Sequence, residues 1–147
     1  MSEVKSEEKK APGPNKFFAV NVEAYSDKTF AETYMDFWTI PTDFEVLLAE
    51  DKRIEAEDKA DFAFHIGYIE SLGDTLLKAR YHCPAGAQLN RPDLVKEFAA
   101  IMLRFKALYE YYVTGNKVNE VDLHNALLDI MTDLENFVRK AFEQLKA

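Results

Sequence analysis

The sequence predicts an all-α fold, an antiparallel helical bundle of four to five helices with a disordered N-terminal tail. Apolar residues recur at steps of three and four along most of the 147 residues, which is the spacing of one helix face. Glycine and proline number only five each, so long stretches are free to be helical. The hydrophobic fraction of 48% can supply one core, and the length fits one domain.

The chain begins with a segment that we expect to be disordered. Residues 1–15 are charged or small, with Pro12 and Pro14 near the end, and cannot bury enough apolar surface to offset the entropy lost on ordering. We therefore assign 1–15 to a tail and 16–147 to a single helical-bundle domain. Residues 17–25 are compatible with a short helix or with an extended arm.

Two shorter helices are predicted after this segment. Ser26 is a candidate N-cap for the first. We expect this helix to end at Ile40, because a proline follows and disfavours helical geometry in the residue before it. Thr42 and Glu45 have the spacing of a capping box that starts the second helix.

The charged stretch from Glu50 to Asp61 leaves the next boundary open. It contains no glycine or proline, so the helix from Thr42 could continue through it to Tyr81. We expect a bend near Asp51–Ile54 instead, because an uninterrupted helix would be too long for a small domain.

Three long amphipathic helices account for the rest of the chain. The first covers 61–81 and is followed by a loop at 83–89. The second begins at Pro92, since proline is favoured in a first turn, and ends at Gly115, since glycine is favoured in a left-handed cap. The third opens at Asn119, and its apolar arc covers close to half of the circumference. Such an arc either sits in a groove between two helices or meets another chain.

Charge and composition exclude several classes of function. The formal net charge of −8 disfavours contacts with phosphate backbones and with anionic membranes. No apolar run approaches the roughly 18 residues that span a bilayer, and the first residues lack the apolar centre of a secretory signal. Cys83 is the only cysteine, which permits no intrachain disulfide and fits a reducing compartment. We therefore expect a cytoplasmic protein without a cofactor that binds neither nucleic acid nor membrane.

Two carboxylate–histidine pairs form the pattern closest to a metal site. Asp61 precedes His65 by one helical turn, and Glu120 precedes His124 in the same way, so each pair shares a helix face. If the two helices are neighbours, the four side chains could bind one metal ion. We favour the simpler interpretation, in which each imidazole is anchored by the carboxylate on its own helix.

The sequence lacks the residues that define other known catalytic motifs. The chain has no Glu-x-x-His motif of di-iron bundles, no glycine-rich phosphate loop and no nucleophile elbow. His82 and Cys83 are adjacent, and adjacent residues rarely form a nucleophile–base contact. His65 projects within an apolar arc, unlike the exposed phosphorylated histidine of histidine phosphotransfer domains. We therefore predict no catalytic residue.

The aromatic surplus is explained most simply by core packing, and its functional interpretation is a binding site. An aromatic-lined groove between helices could bind an apolar ligand or a helix of a partner. The candidate binding residues are Tyr34, Trp38, His65, Tyr68 and Tyr111.

Three functional hypotheses follow from these observations. The first is a non-enzymatic interaction protein, an adaptor or small chaperone-like bundle, that binds another protein and forms a homodimer through its last two helices. The second is a carrier or sensor that binds a small apolar ligand in an aromatic-lined cavity. The third is a metal-dependent helical-bundle enzyme that uses Asp61, His65, Glu120 and His124.

Overall fold

The computed structural model describes residues 21–82, 89–115 and 119–146. These ranges contain a short 3-10 helix, Glu23–Tyr25, and five α-helices: α1 Phe30–Met35, α2 Ile40–Glu50, α3 Ala56–His82, α4 Pro92–Val113 and α5 Glu120–Lys146. They contain no β-strand, and the predicted all-α bundle is confirmed. The predicted tail at 1–15, residues 16–20 and nearly all of the predicted loop at 83–89 lie outside the described residues.

The first helix is capped three residues later than the sequence predicts. The hydroxyl of Thr29 accepts a hydrogen bond from the Glu32 amide at 3.1 Å, and the Glu32 carboxylate accepts one from the Thr29 amide at 2.9 Å. This is a complete capping box. The prediction of Ser26 as N-cap is wrong, because Ser26 follows the 3-10 helix as its C-terminal cap and its hydroxyl donates to Glu23 at 3.4 Å.

The boundary between α1 and α2 is also misplaced by the sequence prediction. The first helix ends at Met35, and the second begins at Ile40 with Pro41 in its first turn. A first-turn residue needs no amide hydrogen for the helix ladder, so the proline marks a start rather than a stop. The predicted end at Ile40 and the predicted capping box at Thr42 are therefore wrong. The turn between the two helices lets both Phe37 and Ile40 face the core.

The charged stretch does interrupt the helix, as expected near Asp51–Ile54. The second helix ends at Glu50, residues 51–55 are irregular, and α3 begins at Ala56, five residues before the predicted start at 61. Asp51 holds this junction in place. Its carboxylate accepts hydrogen bonds from the Arg53 guanidinium at 2.9 and 2.7 Å and from the hydroxyl of Tyr112 in α4.

The predicted limits of the last two helices agree with the structure. Pro92 lies at the start of α4, and Gly115 follows its end with a φ of 88°, in the left-handed region that glycine tolerates. The Asn119 side chain accepts a hydrogen bond from the Asp122 amide at 2.8 Å at the start of α5. Their buried faces contain Leu94, Phe98, Ile101, Phe105, Leu108, Leu123, Leu127, Ile130, Leu134, Phe137 and Ala141.

The direction of each helix follows from its contacts. Antiparallel packing of α4 and α5 is marked by two ion pairs, Arg104–Asp133 and Lys140–Glu97, each with a nitrogen–oxygen distance of 2.6 Å. In contrast, α3 and α5 are neighbours that run in the same direction. The hydroxyl of Tyr68 in α3 donates to Glu135 in α5 at 3.0 Å, while Asp61 at the start of α3 contacts the first turns of α5.

The wide apolar arc of α5 is largely covered by its own chain. This helix packs against both α3 and α4, so the arc sits in a groove between two helices. The residues that widen it, Met131, Val138 and Phe142, are half-buried against the core, and Leu128 is 38% exposed. None of the helices, over the described residues, is long and apolar enough to cross a membrane.

Candidate functional site

A groove lined by aromatic and acidic side chains lies where the turn between α1 and α2 meets α3. It has a volume of about 430 Å³, opens to solvent, and is lined by Tyr34, Trp38, Gly67, Glu70, Ser71 and Asp74. We call it the acidic groove. Trp38, the single tryptophan of the chain, is 53% exposed here. A large aromatic ring in this setting is available to a binding partner.

One face of α3 forms the floor of the acidic groove. Its four lining residues, Gly67, Glu70, Ser71 and Asp74, occupy positions i, i+3, i+4 and i+7, which places them on the same face. Gly73 lies beside this face, where a Cβ atom would be 3.1 Å from Cε1 of Tyr34. The missing side chain therefore allows the Tyr34 ring to pack directly against the backbone of α3.

Negative charge is concentrated around the acidic groove. Burial and, second, the charge of Glu70 raise the pKa of Glu45 above its ordinary value. Burial, followed by the charges of Asp74 and Glu70, raises the pKa of the Tyr34 phenol. Asp74 forms an exposed ion pair with Lys78 at 3.0 Å. Within the described ranges, Glu45 and Glu70 have no lysine or arginine at ion-pairing distance.

The space behind Trp38 is closely packed. A small pocket between the tryptophan and the core residues Phe37, Ile69 and Met102 leaves about 10 Å³, which is about the space of one water molecule. This pocket is too small for an apolar ligand. Binding at Trp38 must therefore take place on the open side of the ring.

A second group of polar side chains lies between α3 and α5. Asp61 Oδ2 is 2.7 Å from Nδ1 of His124 and 3.8 Å from Nδ1 of His65. Nδ1 of His65 also lies 2.7 Å from the backbone carbonyl of Asp61. The two imidazole rings meet edge to face, with centroids 5.0 Å apart. We call these three residues the histidine–aspartate cluster.

This arrangement differs from the pairing that the sequence favours. The carboxylate of Asp61 reaches across to His124 on the other helix, while the backbone of Asp61 anchors His65. Glu120 is not among the residues whose potential ligand atoms converge. His65 is only 6% exposed, consistent with its predicted position in an apolar arc.

The five predicted binding residues do not form one site. Tyr34 and Trp38 lie together in the acidic groove. His65 and Tyr68 face α5, where the Tyr68 hydroxyl donates to Glu135 and its ring stacks on the exposed Phe64. Tyr111 is half-buried on α4 and is not one of the groove residues.

The sequence analysis missed the residues of α3 that complete the acidic groove. Gly67, Glu70, Ser71 and Asp74 have the spacing of a helix face made of small and acidic residues, and this signal was available. What the spacing could not indicate was the aromatic turn packed opposite this face, because that depends on how α1 and α2 fold back.

The fold and the acidic groove define a helical bundle with an exposed, carboxylate-lined aromatic surface. Comparisons of the chain with protein-family models, with curated proteins and with solved structures gave no match. The interpretation of both candidate sites therefore depends on the residues themselves.

Proposed function

We propose that this chain is a non-enzymatic interaction protein, an adaptor or small chaperone-like bundle, whose acidic groove binds a basic segment of another protein. The observation that carries the proposal is the exposed Trp38 beside the carboxylates of Glu70 and Asp74. The net charge of −8 adds a long-range attraction for a basic partner.

A basic segment fits the chemistry of the acidic groove at two points. A lysine or arginine over the face of an indole ring gains about 0.5–2 kcal/mol from the cation–π interaction. The pKa of Glu45 is raised first by burial and second by the charge of Glu70, and the same cation would relieve the second of these. An apolar ligand would gain neither interaction.

The shape of the acidic groove favours a segment of chain over an enclosed molecule. Its volume of about 430 Å³ is within the range of ligand sites, but it is open along the surface of α3. An extended segment could place a basic side chain over Trp38 and apolar atoms against Tyr34. A basic side chain of the partner could replace Lys78 as the ion-pair partner of Asp74. This exchange would cost little free energy, because exposed ion pairs contribute little to stability.

The fluorescence of Trp38 provides a direct test, since no other tryptophan contributes. We expect a short peptide of alternating lysine and leucine to shift the Trp38 emission in a saturable manner. A peptide of alternating glutamate and leucine should have no effect. Added salt should weaken the response to the basic peptide, because exposed charges are screened.

The substitution Glu70→Gln separates charge from shape, because the side chain keeps its size. We expect it to weaken the basic peptide about threefold to tenfold, the effect of roughly one charged contact. Glu57→Gln is the matched control, since it lies on α3 about 20 Å along the axis from Glu70. It should bind the peptide like the unmodified protein.

Two results would contradict the proposal. One is a Trp38 emission that does not change with the basic peptide at about 1 mM, the weak end of specific binding. The other is an equal response to tetramethylammonium, which would favour a carrier of small cations over a protein-binding function.

A further inference from the structure

The histidine–aspartate cluster brings three metal-ligating side chains together outside the acidic groove. Asp61 and His65 lie one turn apart near the start of α3, and His124 lies near the start of α5. One potential ligand atom of each residue lies within 4.8 Å of the other two. We propose that Asp61, His65 and His124 bind a divalent first-row transition-metal ion, with Zn²⁺ as the representative ion, and that this ion links α3 to α5.

The distances in the cluster are compatible with coordination. Bonds of about 2.0–2.1 Å in a tetrahedral site place neighbouring donor atoms about 3.3 Å apart. Asp61 Oδ2 and His124 Nδ1 are closer than this, at 2.7 Å, and the full set spans at most 4.8 Å. Shifts of about 1 Å, within the reach of side-chain rotation, would give all three a common centre.

The hydrogen bonding of His65 prepares its ring for a metal. A carbonyl oxygen only accepts hydrogen bonds, so the Nδ1 of His65 that contacts the Asp61 carbonyl must carry a hydrogen. This fixes the ring and leaves the Nε2 lone pair for coordination, so the 3.8 Å between Nδ1 and Asp61 Oδ2 places the ring beside the carboxylate and is not a donor-to-donor distance. Metal-ligating histidines are typically oriented by a backbone carbonyl or a carboxylate in this way.

The surroundings of the cluster provide access and negative charge. The side chains of His124 and Asp61 are 39% and 44% exposed, so an ion can enter from solvent and keep a water ligand. Glu57, Asp58, Glu120 and Asp122 lie in the first turns of the two helices. Their charges oppose the positive ends of the helix dipoles, which would otherwise disfavour a cation there.

Zinc titration of the full chain, stripped of metal with a chelator, tests the proposal. Competition with a chromophoric chelator should give one ion per chain. Because the ion binds the folded state, the midpoint of thermal unfolding should rise by about 5–10 °C when free Zn²⁺ exceeds its dissociation constant a hundredfold. Cobalt(II) should give visible absorption bands typical of a tetrahedral site.

Variants distinguish this cluster from other ligands in the chain. His124→Asn should weaken zinc binding about 100-fold or more and abolish the thermal shift. Asp61→Asn, at an exposed position, should act in the same direction and serves as a second variant if the first folds poorly. Glu120→Gln should bind zinc like the unmodified protein, because its carboxylate lies outside the cluster.

His82→Asn is the matched control, because His82 is about 25 Å along α3 from His65. It should retain both zinc binding and the thermal shift. The proposal would be overturned by the absence of stoichiometric binding at micromolar zinc, or by an equal loss of affinity in His82→Asn.

Discussion

At the residue scale, the acidic groove has beside it one carboxylate, Glu45, whose charge the folded state disfavours. Burial and the charge of Glu70 both raise the pKa of Glu45, so its ionised form destabilises the folded protein. Burial and the charges of Asp74 and Glu70 likewise disfavour the phenolate of Tyr34, so this side chain is neutral at about pH 7. A site that accepts this loss of stability is typical of a surface that binds a ligand of opposite charge.

The substitution Glu45→Gln should therefore stabilise the protein at about pH 7 by a few tenths of a kcal/mol, the scale of an exposed like-charge pair. A raised pKa in the folded state means that stability falls as the pH rises through the titration of Glu45. The gain from the substitution should therefore shrink as the pH is lowered to about 4, where the unfolded chain also begins to protonate. Urea unfolding of the variant and of the unmodified protein, at about pH 7 and at about pH 4, measures this difference in unfolding free energy.

An exposed glutamate on another helix provides the comparison for this effect. Glu143→Gln, on α5, should change the unfolding free energy at neutral pH less than Glu45→Gln does. A destabilised Glu45→Gln variant at neutral pH would show that this carboxylate makes a favourable contact instead.

At the scale of the elements, side chains at the junctions decide where helices end. The sequence analysis placed the start of α1 at Ser26 and missed the capping box of Thr29 and Glu32. At the next junction, the carboxylate of Asp51 is 9% exposed and binds both Arg53 and Tyr112. The Arg53 hydrogen bonds lower the pKa of Asp51, while burial and, second, the bond to Asp51 raise the pKa of Tyr112 to about 12.

Replacing this carboxylate should loosen the junction between α2 and α3. We expect Asp51→Asn to lower the free energy of unfolding by about 1 kcal/mol at neutral pH, a modest value because Arg53 is mostly in solvent. A lowered pKa means that the stabilisation is present above the ordinary value of 3.8 and is lost as the pH falls below it. Chemical denaturation as a function of pH should show the difference between the two proteins closing in acid.

The ion pair of Arg91 and Asp93 is a matched control with the same two-residue spacing. It has a similar distance of 2.7 Å, but both side chains are largely exposed. Asp93→Asn should therefore have a much smaller effect on stability than Asp51→Asn. Equal effects would mean that the buried contact of Asp51 with Tyr112 contributes nothing.

At the scale of the whole molecule, the path of the chain decides which helices meet. The chain leaves α3, returns through α4 and then lays α5 beside α3 in the same direction. This parallel packing brings the starts of α3 and α5 together and creates the histidine–aspartate cluster. The acidic groove forms separately, where α1 and α2 fold over another face of α3.

Homodimer formation through the last two helices stays a prediction at this scale. Most of the apolar arc of α5 is covered within the chain, but Leu128 is 38% exposed and Val121 is 69% exposed. We expect light scattering at high micromolar concentration to give twice the chain mass of 16.9 kDa. Leu128→Glu should return the protein to a monomer, and a monomeric unmodified protein would contradict the prediction.

The sequence by itself determined the helical class, the limits of the last two helices and most of the core. The apolar residues of α4 and α5 recur with the period of a helix, and burial of such a face is a local consequence of that period. It also placed Asp61 one turn from His65, because that relation exists within a single helix.

Only the tertiary structure decided which residues meet across helices. The sequence analysis paired His124 with Glu120 on the same helix. In the structure, the His124 ring is hydrogen-bonded to the carboxylate of Asp61 on α3 instead. The sequence analysis named Trp38 and His65 together as candidate binding residues, whereas in the structure they belong to two candidate sites on opposite faces of α3. The physical reason is that the chain selects the arrangement of helices that buries the most apolar surface overall. The spacing of residues within one helix does not specify which other helix will cover its apolar face.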